Sequence, residues 1–358
     1  MSGNTGWTGW TGWTGWTGWT GWTGWTGWTG GVGPAADPGV AQAMLTYRPG
    51  VNAGRVLVPG DLTVVVPPAP DDAAALAQWS AAVRRNTLLV DLLQGLAFTR
   101  VDGDGFRVAH GALVVATLRR PQANTQSQWR DVLFEQVRRV DDWARERPTR
   151  GAEILTQLDG ALPFMMSAAG LQPNRHRAVL ELVDLASGLA SLVCQRFKHA
   201  LNLPRPGMLG SLLLPPIPTP EHSSYPSGHA TESFAAAWVL ARLLGRHEES
   251  LLRAAHRVAE NRTVAGLHYP MDSEAGRALG LSLGEYIVHR CTGCSGLDAL
   301  SAPAPASPPW LARDYRGVAH AAFDFATASA GDPVASDQAP GRAELAGWLW
   351  DRAHEALA

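Results

Sequence analysis

Cysteine is scarce: Cys194, Cys291 and Cys294 are the only three in 358 residues. An odd count at that density excludes a disulfide framework. Cys291-Thr-Gly-Cys294 follows His289-Arg290, but no second ligand pair stands at zinc-site spacing, so the pair reads as two ordinary thiols or a local disulfide at a helix end. Charge of one sign is lacking too. A net charge of −2 leaves no basic field to recruit nucleic acid or anionic lipid, so any anion site must be a local cluster of Lys and Arg. Long apolar runs are also missing. Outside the N-terminal repeat, the longest uncharged stretches, 160–174 and 207–220, contain prolines and fall short of a bilayer span. The N-terminus has neither a basic region nor a continuous apolar core of the secretory type. These absences lead to the expectation of a cytoplasmic protein with no integral membrane segment, a non-classical export route staying open.

What is present is a globular balance, 46% apolar and 17% charged, with ample material for a core. The most regular feature is a repeat. Thr-Gly-Trp occurs eight times without error between Thr5 and Trp28, then breaks at Thr29-Gly30-Gly31. A period of three matches neither a helix nor a strand, but it does match the threefold symmetry of a polyproline-II-like helix. Such a helix would place Trp7, Trp10, Trp13, Trp16, Trp19, Trp22, Trp25 and Trp28 along one edge. Eight indoles in a row seek burial, which favours packing against other copies or the domain over a slippage-expanded extension. A self-association segment over residues 1–31, giving a homo-oligomer or filament, is the sharper form of that expectation. Carbohydrate binding by the comb is the weaker one.

Residues 32–70 read as a Gly/Pro/Ala linker and an irregular arm, and residues 71–358 as one helical domain. Helical spacing of apolar residues covers 71–96, 126–145, 151–169, 173–201, 229–244, 247–263, 273–290, 313–328 and 340–357. Leu182, Leu185, Leu189 and Leu192 form a stripe expected to be buried. The fold class is therefore expected to be all-α.

Three blocks carry chemistry. Lys198 and Arg205-Pro206 are separated by six residues, and Pro204 should end the helix so that Arg205 sits on an extended segment. Two cations so placed can converge on one anion, although cations at a helix C-terminus are common for dipole reasons alone. Next, Tyr225-Pro226-Ser227-Gly228-His229 precedes an apolar helix, with Ser227 as N-cap and Gly228 admitting a ligand to the exposed backbone N–H groups. His229 falls in the first turn. Third is Arg262 followed by His268 and Asp272. An Asp four residues after a His can accept its Nδ1 proton and leave Nε2 free as a nucleophile, while Arg262 offers a planar set of donors to phosphate oxygens. A lone His–Asp pair is as often structural, and it is the combination of blocks that shifts the balance.

The pattern Lys-x6-Arg-Pro, Pro-Ser-Gly-His, Arg-x5-His-x3-Asp resembles the signature of the type 2 phosphatidic-acid phosphatase superfamily. That superfamily takes in bacterial acid phosphatases, lipid phosphatases and vanadium haloperoxidases. The match runs from Lys198 to Asp272, about a fifth of the chain, and departs from the pattern at Asn261, where Ser is usual. The resemblance implies a helical bundle of the acid phosphatase/vanadium haloperoxidase type and a metal-free site. In it Lys198, Arg205 and Arg262 bind the phosphate with help from Ser227 and Gly228. His268, oriented by Asp272, forms a phosphohistidine, and His229 serves the leaving group and then water. No cofactor is implied for a phosphatase acting on a small phosphorylated substrate; vanadate is implied for a haloperoxidase. The short spacing between His229 and Arg262 favours the phosphatase. A structural, filament-forming protein with a phosphatase-like domain is the alternative from another class.

Overall fold

The computed structural model describes residues 67–102, 104–158, 160–293, 310–318, 321–327, 331–336 and 340–357. The Thr-Gly-Trp repeat with its eight tryptophans, the linker and arm up to residue 66, Cys294 and the Pro-rich 303–309 segment lie outside the described residues. The chain divides into two compact units, Met1–Thr87 and Leu88–Ala358. The first holds a 3-10 turn, Ala74–Gln78, and the opening residues of α1 (Ala81–Leu93). What was expected as one helix over 71–96 is broken at Trp79, whose ψ of 154° is extended. The second unit holds every other described element.

Its centre is α9 (Pro270–Thr292), buried on every side and packed most heavily on α7 (Gly228–Leu244). α7 in turn packs on α5 (Arg177–Leu201) and α8 (Glu248–Val264). Two glycines make the α7–α9 approach close enough. A Cβ on Gly276 would sit 2.7 Å from the Ser227 carbonyl oxygen, and one on Gly280 would sit 2.5 Å from the Thr231 carbonyl oxygen. Backbone cannot yield as a side-chain tip can. Gly280→Ala is therefore expected to lower stability by about 2 kcal/mol despite its better helix propensity, read as a lower urea midpoint at unchanged m.

The helix stops follow the sequence. α5 ends on Asn202 in the left-handed region (φ 38°), and Pro204 keeps the chain extended to Arg205 (φ −75°, ψ 152°) before the short turn α6 (Pro206–Leu209). Its stripe is buried at Leu182, Leu185 and Leu189. Leu192, however, is 38% exposed, because the buried line continues in steps of four through Val193 and Phe197. The stretch expected as one helix over 151–169 is two: α3 (Arg147–Thr156) and α4 (Leu162–Ala169), with Pro163 in the first turn of the latter. α2 (Gln126–Trp143) opens with a capping box between Thr125 and Gln128, and α10 (Glu344–Glu355) lies near the C-terminus.

The all-α expectation is corrected: the fold is mostly helical with a small mixed sheet. β1 (Leu96–Val101), β2 (Gly105–His110) and β3 (Leu113–Arg119) form an antiparallel meander. β4 (Trp310–Arg316) joins β3 in parallel, and β5 (Asp332–Ser336) pairs antiparallel with β4. The expected helix over 313–328 is thus a strand followed by a turn. Its pairing with a buried strand nearly two hundred residues earlier outweighs the local Ala-rich propensity. β3 and β4 pack on α9, and Tyr225 donates its hydroxyl to the Arg119 carbonyl at 2.8 Å, tying the sheet to the loop before α7.

A second correction concerns apolar spans. Arg177–Leu209 is long and apolar enough to cross a membrane by length and composition, with mean hydropathy 1.5 over its best window, two-thirds of which is buried inside the protein. Scanning for uncharged runs missed it because the charges on α5 are few but interspersed.

Candidate functional site

The three blocks meet where the C-terminal ends of α5 and α8 face the N-terminal ends of α7 and α9. Lys198, on the last turn of α5, is 1% exposed and donates Nζ to the carbonyls of Ser223 (2.9 Å) and Ser224 (3.1 Å). Arg205 is equally buried. Its Nε donates to the His222 carbonyl and its Nη1 to the Leu267 carbonyl, each at 3.0 Å. Nη1 also lies 3.0 Å from His268 Nε2, and Nη2 lies 3.0 Å from His222 Nδ1.

His268 occupies the α8–α9 loop. Its Nδ1 is 3.0 Å from Asp272 Oδ2, which also accepts from Tyr269 N (2.9 Å) and from the Ser224 hydroxyl. The carboxylate can only accept and the guanidinium can only donate, so both neighbours impose one tautomer: the proton on Nδ1, the lone pair on Nε2. That lone pair was expected to be free. It is instead engaged by Arg205.

Arg262 closes α8 and is 1% exposed. Its Nη2 donates to the Ile154 carbonyl (3.1 Å) and to Gln157 Oε1 (2.8 Å). Its Nε and Nη1 are buried with no hydrogen-bond partner among the described residues. Leaving cationic donors dry and unpaired is costly, and an oxyanion is the group that would satisfy them. Ser227 caps α7 by accepting from Ala230 N at 3.4 Å. Gly228 follows, and a Cβ there would stand 3.8 Å from Lys198 Cε. His229, in the first turn, has Nε2 at 3.1 Å from the Gln157 carbonyl, so that nitrogen carries the proton and Nδ1 is its basic atom.

The electrostatics are those of a dry, cationic pocket. Burial first, then the charge of Arg262, lowers His229 to about 3. Burial, then Arg205 and Lys198, holds His268 well below its usual value. Burial lowers Lys198 to about 8, and both Arg205 and Arg262 to about 10. Asp272 is raised by burial to about 6, with the hydrogen bonds from Ser224 and Tyr269 opposing. The structure thus joins Lys198, Arg205, His268 and Asp272 in one hydrogen-bonded network. His229 and Arg262 are linked to each other through Gln157, and His229 feels the charges of Arg262, Lys198 and Arg205.

Sequence reasoning passed over three residues. Ser224 and His222 lie just before the Tyr225–His229 block, and their proximity to it was the available signal. Burial of its ring, then Lys198 and Arg205, lowers His222 to about 4, so it clamps Arg205 as a neutral acceptor. Gln157, just past α3, carried no signal at all.

A family model described as the PAP2 superfamily matches residues 182–292, which take in most of α5, α6 to α9 and every residue above except Ile154 and Gln157. Among curated proteins, the decaprenylphosphoryl-5-phosphoribose phosphatases of two Mycobacterium tuberculosis strains, CDC 1551 / Oshkosh and ATCC 25618 / H37Rv, are each 37% identical over 71 residues. That alignment covers 20% of this chain and 39% of each relative. These matches overturn the cytoplasmic expectation. It rested on the lack of a secretory signal and of any apolar span, yet the matched region overlaps an apolar span at Arg177–Leu209, and the relatives are named for a decaprenyl-linked substrate.

Proposed function

We propose, from the premise that residues 182–292 are a domain of the PAP2, or type 2 phosphatidic-acid phosphatase, superfamily, that the chain hydrolyses phosphomonoesters through a phosphohistidine. The observation that carries this reading is the pair of buried donor groups on Arg262 that have no partner among the described residues, in a pocket that also holds two further cations and two neutral imidazoles. Lys198, Arg205 and Arg262 take the non-bridging oxygens, with the Gly228 amide and Ser227 beside them. Arg205 exchanges its bond to His268 Nε2 for a phosphoryl oxygen, which uncovers the lone pair. Nε2 then forms a bond to phosphorus in line with the departing oxygen, and the P–O bond breaks as that oxygen takes a proton from His229. The dianion's charge opposes the field of Arg262 and draws that proton onto His229 on binding. Asp272 balances the cationic ring of the phosphohistidine. In the second step His229 accepts a proton from water as its oxygen attacks phosphorus, and His268 departs.

The test is an aryl phosphate assay in chelator, with and without orthovanadate, on wild type and His268→Ala. Hydrolysis that survives chelator, is blocked by vanadate and is lost in the variant supports the reading. Halide oxidation by peroxide in the presence of vanadate, without hydrolysis, would overturn it in favour of a haloperoxidase.

An apolar leaving group is favoured over a small polar one. Met208, Leu209, Leu212 and Leu214 follow Arg205 within nine residues and are all exposed, Leu212 at 87%, while exposed Leu155 and Leu158 flank Gln157. Exposed apolar side chains so close in sequence to Arg205 and Gln157 suit an ester whose phosphate enters the cationic pocket and whose chain stays on apolar surface. The decaprenyl-linked substrate in the relatives' name supports the same choice. A long-chain alkyl phosphate is expected to show a lower KM than glycerol phosphate by roughly tenfold or more, since each buried methylene contributes about 0.8 kcal/mol.

The pH profile follows from the buried pair. The working form needs Asp272 ionised, which requires pH above about 6, and Lys198 charged, which requires pH below about 8. A bell-shaped kcat/KM between those limbs is the expected result, measured with a substrate saturating at neither end.

The Thr-Gly-Trp repeat is proposed as a self-association segment. Light scattering of the chain lacking residues 1–31 checks it, and unchanged particle size would defeat it.

A further inference from the structure

We infer that Gln157 is a positioning residue that fixes the phosphate-binding donors of Arg262, an inference resting on the phosphatase reading of this site. Gln157 caps the C-terminus of α3 and is fully buried. Its side-chain Oε1 accepts from Arg262 Nη2 at 2.8 Å and from Asn261 Nδ2 at 3.1 Å, and its Nε2 donates to Glu153 Oε1 at 3.3 Å. Its backbone carbonyl takes the Nε2–H of His229 at 3.1 Å. One residue therefore touches the arginine, the neighbour of that arginine, and the histidine proposed to serve the leaving group.

Chemistry dictates how the amide must face. A guanidinium and a carboxamide NH₂ only donate, whereas the Glu153 carboxylate only accepts, so Oε1 points to Arg262 and Asn261 and Nε2 points to Glu153. Glu153 is itself held by Arg257 through Nε at 3.0 Å and Nη2 at 2.9 Å. A frame thus runs from the Arg257–Glu153 pair at the surface, through Gln157, to the pocket.

The consequence lies in the planarity of the guanidinium. With the Nη2 hydrogens taken by the Ile154 carbonyl and Gln157 Oε1, rotation of the plane would cost both bonds. The remaining donors, on Nε and Nη1, are then held in one orientation, buried and without a partner among the described residues. Without the Gln157 oxygen, the same arginine keeps its charge but loses its aim. Gln157 lies outside the matched family region, at residue 157 against a start at residue 182.

The experiment is a double-mutant cycle on the full chain with orthovanadate as probe, read by calorimetry alongside aryl phosphate kinetics. Gln157→Met keeps the length and removes the acceptor. It is expected to weaken orthovanadate binding and raise KM by roughly ten- to hundredfold, the loss typical of a hydrogen bond to a charged group, with a smaller change in kcat. In an Arg262→Lys background, which has no plane to orient, the same substitution should add less than about twofold. Equal effects in both backgrounds, or unchanged vanadate affinity in the single variant, would overturn the role of Gln157. If Gln157→Met does not fold, Gln157→Glu carries the test. It keeps the acceptor but pairs with Arg262, so its affinity relative to wild type should fall at pH 8 and recover toward pH 5; a flat ratio overturns the proposal. Wild type that binds no orthovanadate would defeat the phosphatase reading itself, a result distinct from either outcome for Gln157.

Discussion

Replacing His268 with alanine is expected to lower phosphomonoester hydrolysis by roughly 10⁴-fold or more while leaving the binding of inorganic phosphate, which forms no bond to Nε2, within a fewfold of wild type. The two parts separate because the anion is held by other groups. Arg205 loses one contact but keeps the Leu267 carbonyl, the His222 carbonyl and His222 Nδ1, so it stays buried at the same place. Lys198 is held by carbonyls of Ser223 and Ser224, neither of which depends on the imidazole. A histidine that merely filled space would give a different pattern: a lower melting temperature, with activity and anion binding falling together. The covalent step gives a direct readout. Wild type quenched during turnover of a radiolabelled phosphate ester should retain acid-labile, alkali-stable label, and His268→Ala should retain none. Label of equal amount in the variant would mean that another residue is the nucleophile. Added imidazole, which fits the space vacated beside Arg205, should restore part of the turnover without restoring the label.

Much of this pocket was legible because its chemistry is local. A proline two residues after a helix end forces Arg205 onto an extended segment. Ser227 before an apolar run reads as a cap. Asp272 four residues after His268 lies within reach of its ring whatever the rest of the fold does. Helix ends came within a few residues for α5, α7, α8 and α9 for the same reason. The sheet divides into two cases. Asp102-Gly103 and His110-Gly111 between runs rich in Val, Thr and Phe are hairpin signals present in the sequence, in a stretch that the helical spacing left unassigned. β4 is different, since its parallel pairing with β3 spans nearly two hundred residues and leaves no local trace. Gln157 belongs with β4. Nothing in Glu153 to Gln157 announces an active-site residue, and its meaning arises only when α3 packs against the end of α8. The engagement of His268 Nε2 by Arg205 is likewise a fact of three dimensions.

Asp272→Asn is expected to cut kcat by roughly 10³-fold without lowering thermal stability, and to abolish the acid limb of the pH profile. All three donors at this carboxylate converge on Oδ2: the Ser224 hydroxyl, His268 Nδ1–H and Tyr269 N–H. A carboxamide oxygen can accept the same three. Its NH₂ then replaces Oδ1, which is already buried without a partner among the described residues, so the unsatisfied group changes sign but not number. A flipped amide would demand the other tautomer of His268, with a proton on Nε2. Arg205 forbids that, because a guanidinium has no lone pair to receive it. The tautomer therefore survives the substitution, and what disappears is the negative charge that balances the phosphorylated ring. Burial raises the Asp272 carboxyl to about 6, so the folded protein works against that charge above pH 6 and is relieved of it in the variant. Stability at pH 7 should accordingly hold or rise while turnover collapses. A structural aspartate would do the reverse, with the melting temperature falling and the residual activity keeping its limb near pH 6.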